Sequence, residues 1–274
     1  MKLQYIFGKL WAAYTSQNPA VQQVYDLFIK EGERVVNDHI AFRTFDDPRV
    51  GIGTMVKPFL ANGYVEKGTY NFEEKKLFAR HFEHKSNPEA PRVFISELLT
   101  KNFSSFLQET VKRAVDQVSI DKMSADGLVF SGRLWEKPSY EIYNKLKEES
   151  EYAAWVYVFG FCANHFTVSV NFLTKYDSLE KVNNLLKSNG FMINDSGGEI
   201  KGTPQELLEQ SSIKSGIVKI DFVEGAFDIP GCYYEFARRY PDENGHIYSG
   251  FIAKSADKIF ESTNFYKKDK KNPA

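Results

Sequence analysis

Apolar residues recur at helical spacing after Asn18-Pro19, where Val21, Val24, Tyr25 and Phe28 form one stripe. Asn18 reads as an N-cap with proline at the first helical position, and Gly32 as the stop. A second helical pattern starts near Ser104 and carries Phe106, Leu107, Val111, Ala114 and Val118. A third follows Pro138 over residues 139–152 and is charged enough to be half exposed. These last two fall between 101 and 154 and read as an inserted helical segment. Elsewhere the pattern alternates with period two, as strands do.

The strand-rich regions repeat. One copy opens at Asn37-Asp-His-Ile-Ala-Phe-Arg-Thr-Phe, passes a helical stretch and reaches Asn62-Gly63-Tyr64. The other opens at Ala163-Asn-His-Phe-Thr-Val-Ser-Val-Asn and reaches Asn189-Gly190-Phe191. His39 lies 24 residues before Gly63, and His165 lies 25 before Gly190. Each copy reads as strand, helix, glycine stop, then further strands. Each ends in an apolar run holding one acid, Glu97 in Arg92-Val-Phe-Ile-Ser-Glu97-Leu and Glu235 in Cys232-Tyr-Tyr-Glu235-Phe-Ala. Residues 217–223 alternate as another strand of the second copy. The expected organisation is α+β in a single domain over 1–274. Module one covers about 35–100, the helical insert 101–154, module two 155–240 and a C-terminal segment 241–274.

Composition narrows the function classes. With 35 Lys+Arg against 36 Asp+Glu, the net charge is −1, too balanced for a general nucleic-acid binder. No apolar run of about 18 residues exists to span a membrane. The short apolar patch at the N-terminus is broken by Gly8 and Lys9, so a signal peptide is disfavoured and the cytoplasm is expected. Cys162 and Cys232 stand alone in apolar stretches and read as reduced core residues. The basic run 267–271 reads as a solvated tail.

The five histidines carry the candidate chemistry. Alternation puts His39, Ala41, Arg43 and Phe45 on one strand face. On the equivalent strand it puts His165, Thr167, Ser169 and Asn171 together. Two equivalent strands that present histidine to a shared cavity have the geometry of a metal site. Glu235 supplies a carboxylate that is costly to bury among Tyr233, Tyr234 and Phe236 without a partner. Two imidazoles and one carboxylate form the facial set that suits non-haem iron(II). Glu97 is the symmetric alternative or a fourth ligand. Arg43 faces the same way as His39 and offers a planar fork to a distal carboxylate, or to Glu97 as an internal ion pair. His81, His84 and His246 sit in polar surroundings and are expected at the surface.

The string Asp38-His-Ile-Ala-Phe-Arg-Thr-Phe45 resembles the opening motif of the 2-oxoadipate dioxygenase/decarboxylase (hydroxyglutarate synthase) family. The likeness continues at Asn164-His165-Phe-Thr, at Tyr234-Glu235-Phe and at residues 255–263 (SADKIFEST), covering roughly 20–265. That resemblance implies two vicinal-oxygen-chelate-like βαβββ modules that form a curved mixed sheet around a metal cavity. It implies iron(II) on His39, His165 and Glu235, a substrate arginine at Arg43 and a substrate-contacting amide at Gln210. The implied partners are a small 2-oxo acid and dioxygen, with no nucleic acid and no membrane. The implied reaction decarboxylates and hydroxylates one molecule, 2-oxoadipate giving 2-hydroxyglutarate and CO2, in a step of lysine catabolism. Two other readings fit the residues: a divalent-metal isomerase or lyase on the same scaffold, and a non-enzymatic small-molecule binder.

Overall fold

Four serines open helices by one device, a hydroxyl that accepts from the N–H three residues on. Ser104 caps with Leu107, Ser139 with Ile142, Ser150 with Ala153 and Ser178 with Lys181. The computed structural model describes residues 2–119, 121–124 and 126–252. Segments 255–263 and 267–271 lie outside the described residues. Two helices come first, α1 (Leu3–Gln17) and α2 (Pro19–Lys30). Proline starts α2 as expected, but Asn18 turns its Oδ1 to the backbone N–H of Cys232 (2.9 Å) instead of capping the helix. The chain then packs into two compact units.

The first unit takes residues up to Tyr14, then Ile40–Asn164 and Lys219–Asp228. Its sheet strands begin with β1 (Asn37–Phe45), whose first three residues belong to the other unit. Two short helices follow, α3 (Ile52–Met55) and α4 (Lys57–Leu60), then β2 (Tyr64–Phe72), β3 (Leu77–His84) and β4 (Arg92–Leu98). The strand order is β2-β3-β4-β1, a βαβββ module. Gly63 has φ +89°, so the stop before β2 needs the left-handed conformation that glycine adopts freely. Helices α5 (Ser105–Asp116), α6 (Tyr140–Glu149) and α7 (Glu151–Phe159) form the insert. Helix α7 escapes a periodicity reading because Tyr152 through Val158 are all buried, leaving no polar face to mark it.

The second unit holds Thr15–His39, His165–Val218 and the chain from Ile229. It contains β5 (Ala163–Ser169), whose first two residues belong to the first unit, α8 (Leu179–Ser188), β6 (Lys201–Thr203) and β7 (Leu208–Ser212). After the hairpin β8 (Ile217–Phe222) and β9 (Gly225–Pro230) comes β10 (Glu235–Arg239). Here the order is β5-β10-β7-β6, the same arrangement as β1-β4-β3-β2. In both modules the last strand returns beside the first, and the second ends at the far edge. The pairing is mixed, with β10 parallel to β5 and antiparallel to β7.

Two strand expectations need correction. Residues 217–223 do not join the second module's strands; among the described residues β8 pairs only with β9, in a separate two-stranded sheet. Within the first unit this hairpin is held by Phe227, which stacks on Tyr140 of α6 at 3.8 Å between ring centroids. Asn171 is not on the face of His165, because β5 ends at Ser169 and the chain turns into a single 3₁₀ turn over Val170–Phe172. Its amide instead pairs with the backbone of Arg239, accepting from N–H (2.9 Å) and donating to C=O (2.8 Å).

Candidate metal centre

His39, His165 and Glu235 come together in the second unit, where each is at most 4% exposed. One ligand atom from each lies within 4.8 Å of the others. Strand pairing explains the convergence. Glu235, the first residue of β10, is in register with Thr167 on parallel β5, two residues after His165 and on the same face. Glu235 Oε2 is 3.1 Å from His165 Nε2, and Oε1 is 3.6 Å from His39 Nε2. The imidazole centroids are 5.6 Å apart at 79°, so the rings meet edge to face. Both faces of β5 are buried, its polar side chains included.

The shell around the three is specific. Gln210 on β7 donates from Nε2 to Glu235 Oε1 at 2.6 Å. Thr167 Oγ1 is 3.0 Å from His39 Nε2. Tyr233 stacks on His165 at 4.7 Å, and Phe251 meets His39 edge-on at 4.9 Å. Burial by itself would raise the Glu235 pKa, but His165, His39 and the Gln210 amide together hold it below its usual value. Enclosing one carboxylate with two imidazoles is costly unless a cation shares the space. Nitrogen and carboxylate donors of this kind suit a divalent transition metal. The donor set therefore fits a metal ion.

The remaining candidates separate. Arg43 is buried on β1 in the first unit, with its guanidinium over Tyr152 (5.1 Å) and Trp155 (5.3 Å). Glu97 is not among the grouped ligands; its Oε2 accepts from Ile52 N–H at the start of α3 (3.1 Å). Burial raises its pKa. His81 is not at the surface as expected but only 2% exposed. Its Nδ1 meets Tyr70 Oη at 2.8 Å and its Nε2 meets Glu83 at 3.0 Å. Charged neighbours in sequence misled there, because alternation turns Arg80 and His81 to opposite faces. His84 is half-buried, while His246 is exposed as expected. Both cysteines are free thiols. A residue-by-residue reading passed over Asp38 and Arg239, which form the site's outer polar layer. An acid beside a histidine in an apolar run was the available signal.

The family model for 2-oxoadipate dioxygenase/decarboxylase matches residues 6–242. The chain belongs to this enzyme family. A curated relative, the chloroplastic/amyloplastic 2-oxoadipate dioxygenase/decarboxylase of Oryza sativa, is 34% identical over 94% of this chain and 78% of its own length. The crystal structure of hydroxyglutarate synthase from Oryza sativa in complex with 2-oxoadipate superposes with a TM-score of 0.87. It is 34% identical and matches 94% of this chain and 91% of that one. A Shewanella frigidimarina structure with a provisional description as a hydrolase is 46% identical, with a TM-score of 0.87, over 92% and 98% of the two chains. A glyoxalase-superfamily structure from Ralstonia eutropha, 22% identical with a TM-score of 0.71 over 88% and 83%, shares the fold. No helix among the described residues is long and apolar enough to cross a membrane.

Proposed function

We propose that this chain is an iron(II) enzyme that converts 2-oxoadipate and O2 to 2-hydroxyglutarate and CO2. The observation that carries this reading is the buried convergence of His39, His165 and Glu235, in a chain of the 2-oxoadipate dioxygenase/decarboxylase family. The 2-oxoadipate bound to the Oryza sativa relative supports the choice of substrate. Carbon, hydrogen and oxygen balance without a second oxo acid, since the substrate supplies its own carboxylate to leave as CO2.

His39, His165 and Glu235 would hold the ion, three donors that leave positions free for substrate and oxygen. Iron(II) bound there would supply electrons to dioxygen and a Lewis acid for the 2-oxo carboxylate. The protein's own contribution is positional. Gln210 fixes one oxygen of Glu235 and so limits how that carboxylate can turn. Tyr233 and Phe251 cover the two imidazoles with aromatic surface and keep bulk water away. Arg43 follows His39 by four residues on the same strand, roughly 13 Å at about 3.3 Å per residue. Its guanidinium would take the distal carboxylate and set the preferred chain length. Tyr152 and Trp155 lie against the Arg43 guanidinium and limit its motion.

The test is oxygen uptake by iron(II)-loaded protein across 2-oxo acids of different length. Uptake should be greatest for 2-oxoadipate, with CO2 released in equal amount. Turnover in the absence of O2 would instead favour the isomerase or lyase reading.

A further inference from the structure

Asp38 and Arg239 form a buried polar pair against His39. Arg239 grips Asp38 with two parallel bonds, Nε to Oδ2 at 2.7 Å and Nη2 to Oδ1 at 2.9 Å. Asp38 Oδ1 also lies 2.8 Å from His39 Nδ1. Asp38 is 3% exposed and Arg239 is 2% exposed, so neither charge is satisfied by water. At the other edge of the guanidinium, Nη1 donates to the carbonyls of Tyr248 (3.1 Å) and Gly250 (2.7 Å). Phe251, next along, packs over both His39 and the Arg239 guanidinium.

A carboxylate held ionised by a bidentate arginine can only accept hydrogen bonds. His39 Nδ1 must therefore carry the ring proton and donate it to Asp38. That leaves Nε2 with its lone pair, and Nε2 is the nitrogen that faces Glu235. Thr167 Oγ1, 3.0 Å away, is placed to donate to that lone pair. We propose that Arg239 is a positioning residue which, through Asp38, fixes the tautomer and ring direction of His39 for metal binding. The Tyr248 and Gly250 carbonyls hold the arginine in place, so the chain after β10 supports the site through Arg239 as well as through Phe251. Histidine ligands oriented by such outer carboxylates typically lose 10–100-fold in metal affinity when the partner is removed.

This inference rests on the metal reading, so the experiment separates the two. Mn(II) binding is measured from the loss of the free-ion electron paramagnetic resonance signal, in wild type and five variants. Asp38→Asn and Arg239→Lys should weaken Mn(II) binding about 10–100-fold, with Arg239→Lys the milder. Glu33→Gln disturbs another buried carboxylate of the same unit, one bonded to Thr174, Lys175 and Tyr176, and should lower thermal stability without changing Mn(II) affinity. His165→Ala and Glu235→Gln should abolish binding; if they do not, the metal reading itself fails. If they do, while folded Asp38→Asn and Arg239→Lys bind Mn(II) as wild type does, the positioning role is overturned. Should Asp38→Asn not fold, Arg239→Lys alone decides, because it keeps the charge and loses only the fork.

Discussion

Gln210 reaches diagonally across the β7–β10 pair to Glu235, its amide nitrogen 2.6 Å from the carboxylate. Its own backbone partner is Ala237, two residues along, so the contact depends on register as well as sequence. A hydrogen bond to a buried charged acceptor contributes on the order of 1.5–3 kcal/mol. Gln210→Leu should lower the stability of metal-free protein by about that amount in denaturant unfolding. Gln210→Glu should lower it further, by placing a second carboxylate against the first, and added Mn(II) should restore part of the loss.

Arg43 belongs to substrate recognition in the proposed reaction, and its variants should show it. Arg43→Ala should raise KM for 2-oxoadipate steeply, on the order of 100-fold for the loss of a bidentate charged contact. Iron content should remain that of wild type. Arg43→Lys keeps the charge and loses the fork, so an intermediate KM is expected. Steady-state kinetics with metal analysis of the same samples checks both. Loss of iron in Arg43→Ala would show a structural role instead.

Glu33 gives a pH dependence whose sign can be worked out. Burial works to raise its pKa, but the N–H groups of Thr174, Lys175 and Tyr176 and the Thr174 hydroxyl together bring it below 4.5. A depressed carboxylate pKa adds stability that is complete above the unfolded-state value and is lost as pH falls through the folded-state value. The stability gap between wild type and Glu33→Gln should therefore be full at neutral pH, about 1–3 kcal/mol. It should narrow progressively below about pH 4.5. Urea titrations at several pH values measure the gap directly, and a gap that widened on acidification would reverse the assignment.

Gly160 ends α7 with φ +70° and ψ −142°, a region hostile to side chains. A Cβ there would collide with the backbone of Gly132 and Arg133, since Gly132 pairs with Phe161 as an isolated bridge. Neither neighbour can give way, because both are main chain. Gly160→Ala should destabilise the protein by at least about 3 kcal/mol, adding conformational strain to a steric clash. Thermal unfolding checks this, with Gly190→Ala as the milder comparison: Gly190 has φ +85° but no atom within 4 Å of the added methyl.

Much of the architecture was legible in the chain. The repeat of histidine strand, helix and Asn-Gly-aromatic stop marked two equivalent units of strand, helix and further strands, because periodicity and glycine conformation are local properties. The α5 stripe was equally local. The three grouped donors were reachable because alternation and the repeat placed His39 and His165 at equivalent positions, and Glu235 stood out as an acid among aromatics. The resemblance at residues 38–45 fell within the region the family model matches.

What the sequence could not contain is which strands lie side by side. Symmetry in the sequence offered Glu97 and Glu235 as equivalents, but one lies near the end of its strand and bonds to α3, while the other begins β10 and meets His165. Strand β8 alternates like its neighbours yet pairs with β9 in a sheet of its own. His81 looks solvated among charges and is enclosed between Tyr70 and Glu83. Asp38 and Arg239 are 201 positions apart, and only the packed chain makes them a pair. Local patterns are fixed by backbone sterics and side-chain periodicity, so the sequence carries them outright. Long-range pairings are chosen by the joint burial of many residues, and that choice exists only in the folded chain.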